Sequence, residues 1–227
     1  MEPSFLLIDA SCSTNLVALV LPARKMRFTQ TFTGREYPGE NLLFACEAWY
    51  EHSGLEKGAV DYYATSHGPG SLTGLRVAGS FIRTLAQVYR KPVVTVNSLW
   101  ALDRSISAEG REVVTIIQAR QDRYYARYRS AEDPDDYALL SGEELLHHFP
   151  ADALYCLEER CDLARRFPDQ FSKRDYVLQK MDPDSYVDAL VQSVRGRSFK
   201  PYSEVVLHYG GPSVAEETFF RRNGSML

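Results

Sequence analysis

The 227-residue chain has no Cys-x-x-Cys pair, no two histidines four residues apart and no Gly-x-x-x-x-Gly-Lys-[Ser/Thr] loop. Each absence removes a class of chemistry. The four cysteines, Cys12, Cys46, Cys156 and Cys161, are too few and too scattered for the disulfide framework of a secreted scaffold, and they fit a reducing compartment. Of the five histidines, His52, His67, His147, His148 and His208, only His147 and His148 are neighbours. On a helix such neighbours point about 100° apart and cannot reach one ion from one face, so solvated histidines and no metal site are expected. A block of Lys and Arg is also missing, and the net charge is -4 with a pI of 5.8. Any nucleic acid would therefore have to be met through a partner that supplies the basic surface. Apolar runs long enough for a membrane span or a signal peptide are lacking, and Met1-Glu2-Pro3 opens without a basic stretch. These features predict a soluble, cytoplasmic protein with no membrane contact.

What is present suffices for a sizeable core, with 44% hydrophobic residues in a length that suits one large domain or two small ones. Residues 5–9, 16–21 and 26–33 read as three strands separated by polar turns, followed by a helix over 40–52 that Gly54 stops. A strand over 60–65, a helix to Tyr89 and a strand over 92–96 complete a β-β-β-α-β-α-β order. Three meandering strands followed by crossover units predict a mixed sheet with helices on its faces, an α/β architecture over residues 1–110. A smaller second α/β unit is expected over 111–227, its final residues packing back on the first. Its strands are read at 112–117, 123–128, 153–156 and 176–178, its helices at 142–149, 157–167 and 184–195, and residues 132–136 as a solvated acidic loop. No internal repeat is visible.

The run Ser66-His67-Gly68-Pro69-Gly70-Ser71-Leu72-Thr73-Gly74-Leu75-Arg76-Val77-Ala78-Gly79 joins a strand to a helix through a loop suited to glycine. Gly68 and Gly70, free to take positive φ, flank Pro69, whose φ is fixed, and Ser71 stands where an N-cap belongs. Ala78 and Gly79 would let another helix approach closely. A helix start with exposed amides also suits an anion, so a tight turn without ligand and a phosphate cradle are both open here. Asp9, at the end of the first strand, admits two readings with Ser11 and Ser13: capping of the following turn, or a remnant contact to nucleotide through Mg²⁺.

Four segments resemble the TsaB (YeaZ) family: Leu7-Ile8-Asp9-Ala10-Ser11-Cys12-Ser13-Thr14 with Val17-Ala18-Leu19, the run Gly68 to Val77, Ala119-Arg120 with Tyr124-Tyr125-Ala126, and Phe220-Arg221. The resemblance implies the actin-like, sugar-kinase and Hsp70-like ATPase fold, also called RNase H-like. It implies a non-catalytic subunit that binds and supports TsaD in placing threonylcarbamoyl on the tRNA adenosine beside the anticodon, with TsaE joining the larger assembly. A homodimer in the absence of TsaD is the other arrangement it leaves open. It implies no cofactor of the chain's own, with ATP or ADP as a candidate at the joint surface with TsaD. The partner would meet the first two helices, through Leu42, Leu43, Phe44, Glu47 and Tyr50 and through Leu75, Ala78, Gly79, Ile82 and Ala86, while Gly68, Pro69, Gly70, Ser71 and Gly74 would build the loop that sets the second helix. TsaD-like enzymes hold a metal with a His-x-x-x-His pair, which this chain lacks.

The chain departs from the family pattern at Pro38-Gly39, at Leu42-Leu43-Phe44, at Gln118 where relatives carry Asp, and at Glu217-Thr218-Phe219-Phe220-Arg221. The alternatives are a self-sufficient ATP-dependent phosphotransferase using Asp9 and, weaker, a metallopeptidase.

Overall fold

The computed structural model describes residues 3–33, 38–133, 136–194 and 201–207. Its first sheet contains β1 (Phe5–Asp9), β2 (Thr14–Leu21), β3 (Met26–Thr33), β4 (Tyr62–Gly68) and β5 (Val93–Asn97), with α1 (Pro38–Ser53) preceding β4 and α2 (Leu72–Tyr89) preceding β5. The strand order is β3-β2-β1-β4-β5. The β1, β2 and β3 meander is antiparallel, whereas β4 and β5 join in parallel through the crossovers. The sequence Phe-Leu-Leu-Ile-Asp takes the central position because apolar side chains fill both faces of a strand covered on both sides.

Alternation along these strands sorts the core. Phe5, Leu7, Leu16 and Ala18 face the space between two sheets, while Leu6, Ile8, Val17 and Leu19 face α1 and α2. The second sheet contains β6 (Val113–Arg120), β7 (Arg123–Tyr128), β8 (Ala138–Ser141), β9 (Leu154–Glu158) and β10 (Tyr176–Gln179). Its order is β10-β9-β6-β7-β8. Counted from its own first strand, β6, this is the order of the first sheet again: an antiparallel meander on one side and two parallel strands on the other. The strand order recurs although the residues do not, because burial and alternation fix a topology while leaving the identity of each apolar side chain open. Val113, Ile117, Leu154 and Cys156 meet the central core. Val114, Ile116, Tyr155 and Leu157 face an outer cluster with Leu145, Phe149, Leu163 and Phe171, contributed largely by α4 (Gly142–His148), α5 (Leu163–Arg166) and α6 (Pro168–Phe171). Two further helices, α3 (Ser98–Asp103) and α7 (Pro183–Val194), lie between the sheets.

Three elements differ from the sequence reading. The expected helix over 157–167 is the end of β9, followed after a turn by the four-residue α5 and α6. Pro168 explains the break, since a residue before proline is driven out of the helical region, and Phe167 stands at φ -126. No element was expected at β8, whose four edge residues are all half-buried and show no alternation of burial. The helix α3 begins where the Asn97 side chain accepts from the amides of Leu99 and Trp100, a cap that the expected β-strand at 92–96 concealed.

Candidate functional site

The site begins at the carboxyl end of β1. Ser11 donates its backbone N–H to Asp9 Oδ1 at 2.8 Å and its hydroxyl to Oδ2 at 3.0 Å, so both carboxylate oxygens are engaged in the turn. Asp9 is 1% exposed, and Tyr186 of α7 stands over it. Burial pushes the Asp9 carboxyl up against the lowering influence of the Ser11 donors, Tyr186 and the Ala10 amide. Ser13 is not brought to Asp9. Its N–H reaches Glu158 Oε1 at 3.2 Å, and its hydroxyl is shared between Glu158 and Glu159, 2.8 Å from the latter. Ser11 and Ser13 therefore serve two separate networks, one inside the first sheet's turn and one between the sheets.

The glycine run closes this region further. Gly68 has φ +106, a conformation that an L side chain rarely adopts. Gly70 does not share it; a Cβ there would lie 2.3 Å from the Ser11 carbonyl oxygen, and one on Gly74 would lie 1.7 Å from that of Ala10. Close backbone approach, rather than positive φ, is the reason for glycine at position 70. Ser71 caps α2 by accepting from the Gly74 amide at 3.2 Å, while its own N–H donates to the Ser11 carbonyl at 2.8 Å. The start of α2 is thus seated on the Ala10–Ser11 backbone, and two of its amides are already used.

The partner face read from the sequence needs correction residue by residue. Leu42 and Tyr50 on α1, and Leu75, Ala78, Ile82 and Ala86 on α2, are buried within the chain's own core. In this form they present no surface to a partner, because both helices spend their most regular apolar stripe on the first sheet. Gly79 is covered as well, its open side filled by Leu207 of the chain itself. Leu43 at 40% and Phe44 at 63% exposure do stand outward. Glu47 is half-buried and paired with Lys57 at 3.1 Å. Beside the buried stripe of α2 runs a second one that the sequence reading missed: Val77, Phe81 and Leu85, half-buried, and Val88, 65% exposed. Its spacing of four, four and three residues was the available signal.

His67 is buried rather than solvated, since it lies inside β4, whereas His52, His147 and His148 are exposed. Gln118 accepts from the Asp162 amide at 3.1 Å and donates to the Gln121 carbonyl at 3.2 Å. The donated bond is one that a carboxylate could not make. Among the described residues, no group of three or more His, Cys, Asp or Glu is placed to hold a metal ion, and no helix is long and apolar enough to cross a membrane. His208 and the segment Glu217 to Arg221 lie outside the described residues, as do the side chains of Pro38 and Gly39.

Residues 38–144 match the family model described as TsaD, tRNA N6-adenosine threonylcarbamoyltransferase. A curated relative, the tRNA threonylcarbamoyladenosine biosynthesis protein TsaB of Haemophilus influenzae, is 30% identical over 128 residues, which are 54% of this chain and 52% of that protein. The match thus spans about half the length of the curated relative. Among solved structures, YeaZ from Pseudomonas aeruginosa superposes with a TM-score of 0.71 at 19% identity, covering 90% of this chain and 98% of that one. A Pseudomonas aeruginosa protein described as similar to the peptidase YeaZ gives a TM-score of 0.72 at 20% identity, covering 90% and 97%. The repeated strand order and these superpositions define the class: a two-sheet α/β protein of the actin-like, RNase H-like fold. Within that class the chain is similar to the TsaB and YeaZ proteins just described, and over residues 38–144 to the TsaD model.

Proposed function

We propose that this chain is a non-catalytic subunit that binds a TsaD-type protein and supports threonylcarbamoyl modification of the tRNA adenosine beside the anticodon. The observation that carries the reading is apolar exposure on both helices: Leu43 and Phe44 of α1 and Val88 of α2 are exposed, and Val77, Phe81 and Leu85 of α2 are half-exposed. Aromatic and aliphatic side chains left outward in this way are the composition of the core of a protein interface. The relative named TsaB and the TsaD-type segment over residues 38–144 supply the chemistry of the partner. The sequestered Asp9, both oxygens held by Ser11, favours structural capping over nucleotide chemistry within the chain. ATP or ADP, where it acts, belongs on this reading to the surface shared with the partner. TsaE would join the larger assembly, tRNA would be met only through the complex, and the whole would work in the cytoplasm. A homodimer through the same helices would form when the partner is absent.

Co-purification with the TsaD-type protein of the same organism, followed by a tRNA modification assay with and without this chain, tests the proposal. Full modification without the chain would sink it. Phe44→Asp is expected to cost about 2 kcal/mol or more of partner affinity, in the range of interface hot spots, with the unfolding midpoint unchanged. Undiminished co-elution of that variant would remove α1 from the interface.

A further inference from the structure

The second sheet ends in an open edge. Among the described residues β10 pairs with β9 alone. The carbonyls of Asp175 and Gln179 accept from the amides of Tyr155 and Glu159 at 2.9 and 3.0 Å. Odd-numbered positions therefore bond to β9, and the N–H and C=O groups of Tyr176 and Leu178 point the other way, to the outer edge. Natural edges are guarded by Lys, Pro, bulges or inward charges. The edge strand β3 carries such a guard in Arg27, which pairs with Asp184 and Asp188. Nothing of the kind occurs within Tyr-Val-Leu-Gln of β10, whose register with β9 is unbroken. Tyr176 and Leu178 share the sheet face that carries Tyr155 and Leu157, where they are 43% and 58% exposed and Tyr176 rests edge-on against Phe171.

The occupant this edge fits is a second copy of itself. Antiparallel pairing of two β10 strands about a twofold axis at Val177 sets Tyr176 of each copy across from Leu178 of the other. Both positions turn their backbone groups outward, so each pair exchanges its N–H···O=C bonds in both directions. The same register matches an aromatic with an aliphatic side chain on the outer face. On the inner face it places the Gln179 amide, a donor, across from the Asp175 carboxylate, an acceptor. It also sets Arg174 across from Lys180, but each is already held in its own chain. Arg174 donates to the carbonyls of Gln170 and Leu146, and Lys180 lies 3.5 Å from Glu159. We propose that β10 is a self-association edge, through which two copies of this chain form a symmetric dimer that joins their five-stranded second sheets into one. An interface this short belongs to the weak, reversible class. It lies on the second sheet and leaves α1 and α2, packed on the first, to the partner proposed above.

Crosslinking in the full-length protein tests the register. Val177 would meet its own copy in a non-hydrogen-bonded pair, with Cα atoms about 4.5 Å apart, a spacing that a disulfide bridges. Under mild oxidation Val177→Cys is expected to give a linked dimer in about tenfold or greater yield than Leu178→Cys, whose thiol would face Tyr176 instead of its twin. Exposure alone would favour the reverse, because Leu178 is exposed and Val177 half-buried. The wild type, with its four native cysteines, is the blank. Equal yields, or no crosslink from Val177→Cys, would overturn the pairing. In sedimentation, Leu178→Lys should raise the dimer dissociation constant about tenfold or more with the unfolding midpoint unchanged. A dimer that survives Leu178→Lys and is lost with Phe44→Asp would place self-association on α1 and overturn the proposal. Co-elution with the TsaD-type protein should be the same for Leu178→Lys as for the wild type. Its loss would give the β10 edge to that protein and overturn the second copy as its occupant.

Discussion

Two residues show how much of this chain's chemistry is spent on its own turn. Gly74 lies so near the Ala10 carbonyl that an added Cβ would stand 1.7 Å from its oxygen. The obstacle is backbone and cannot rotate away. Gly74→Ala is therefore expected to destabilise the fold by about 1–3 kcal/mol or more, as overpacking does, read from the urea midpoint. Asp9 offers a test with a sign. Burial raises its folded pKa above the unfolded value of about 3.9. The native state then holds a proton that the unfolded state has released, so the contribution of Asp9 is fully present below the unfolded pKa and is lost as pH rises through the folded one. Asp9→Asn keeps an oxygen for the Ser11 amide and removes the titration. The wild type should lose ground against this variant as pH rises above about 4 in urea titrations. A wild type that instead gains with pH would mean an ionised Asp9 held by charge, as a nucleotide site would require.

At the scale of elements, legibility followed the length of the periodic signal. The helix α2 and the strands β1 to β7 carry runs long enough to be read, and the glycine loop declared its turn. The elements β8, α3, α5 and α6 did not, because four to six residues make little more than one helical turn and the uniformly half-buried β8 shows no alternation. The partner face was legible as helices but not as residues. A stripe of Leu75, Ala78, Ile82 and Ala86 is the signature of a helix that must be buried somewhere, and the sequence does not say whether its own sheet or another chain buries it. The same ambiguity hid the cluster beneath α3. There Asp103 is buried 3.4 Å from Arg127 Nη1 and 3.6 Å from Arg129 Nε, while Arg129 also donates to the carbonyls of Asp103 and Ile106. Burial raises the Asp103 carboxyl, and Arg129, Arg127 and Arg104 hold it down. Asp103→Ala would take the carboxylate from beside the buried Arg127 guanidinium and the partly exposed one of Arg129, and should cost about 3–5 kcal/mol, the usual penalty for breaking a buried ion pair, measured by chemical denaturation.

Across the whole molecule, the two sheets repeat one topology and share a buried apolar core. Three further contacts mark their junction. Arg27 on β3 reaches Asp184 at 3.1 Å and Asp188 at 3.0 Å on α7, Tyr186 fills the space over Asp9, and Glu158 and Glu159 at the end of β9 grip the loop at Ser13 and Thr14. The exposed Arg27 pairs are screened and contribute little, so Glu159 is the group through which the junction responds to acid. Burial raises Glu159, but the Ser13 and Thr14 hydroxyls and Lys180 outweigh it, leaving its pKa lowered. A depressed folded pKa gives stability that is present above the unfolded value of about 4.3 and is lost as pH falls through the folded one. Glu159→Gln retains one acceptor oxygen and abolishes the charge. At neutral pH it is expected to lose about 1 kcal/mol or less, and amide exchange over residues 11–14 should quicken more than exchange in β1. As pH falls below about 4 the difference from wild type should shrink toward zero, since both forms then carry a neutral side chain. A gap that persists undiminished at low pH would show that Glu159 holds the loop by packing rather than by charge, and that the junction between the sheets does not weaken through this residue in acid.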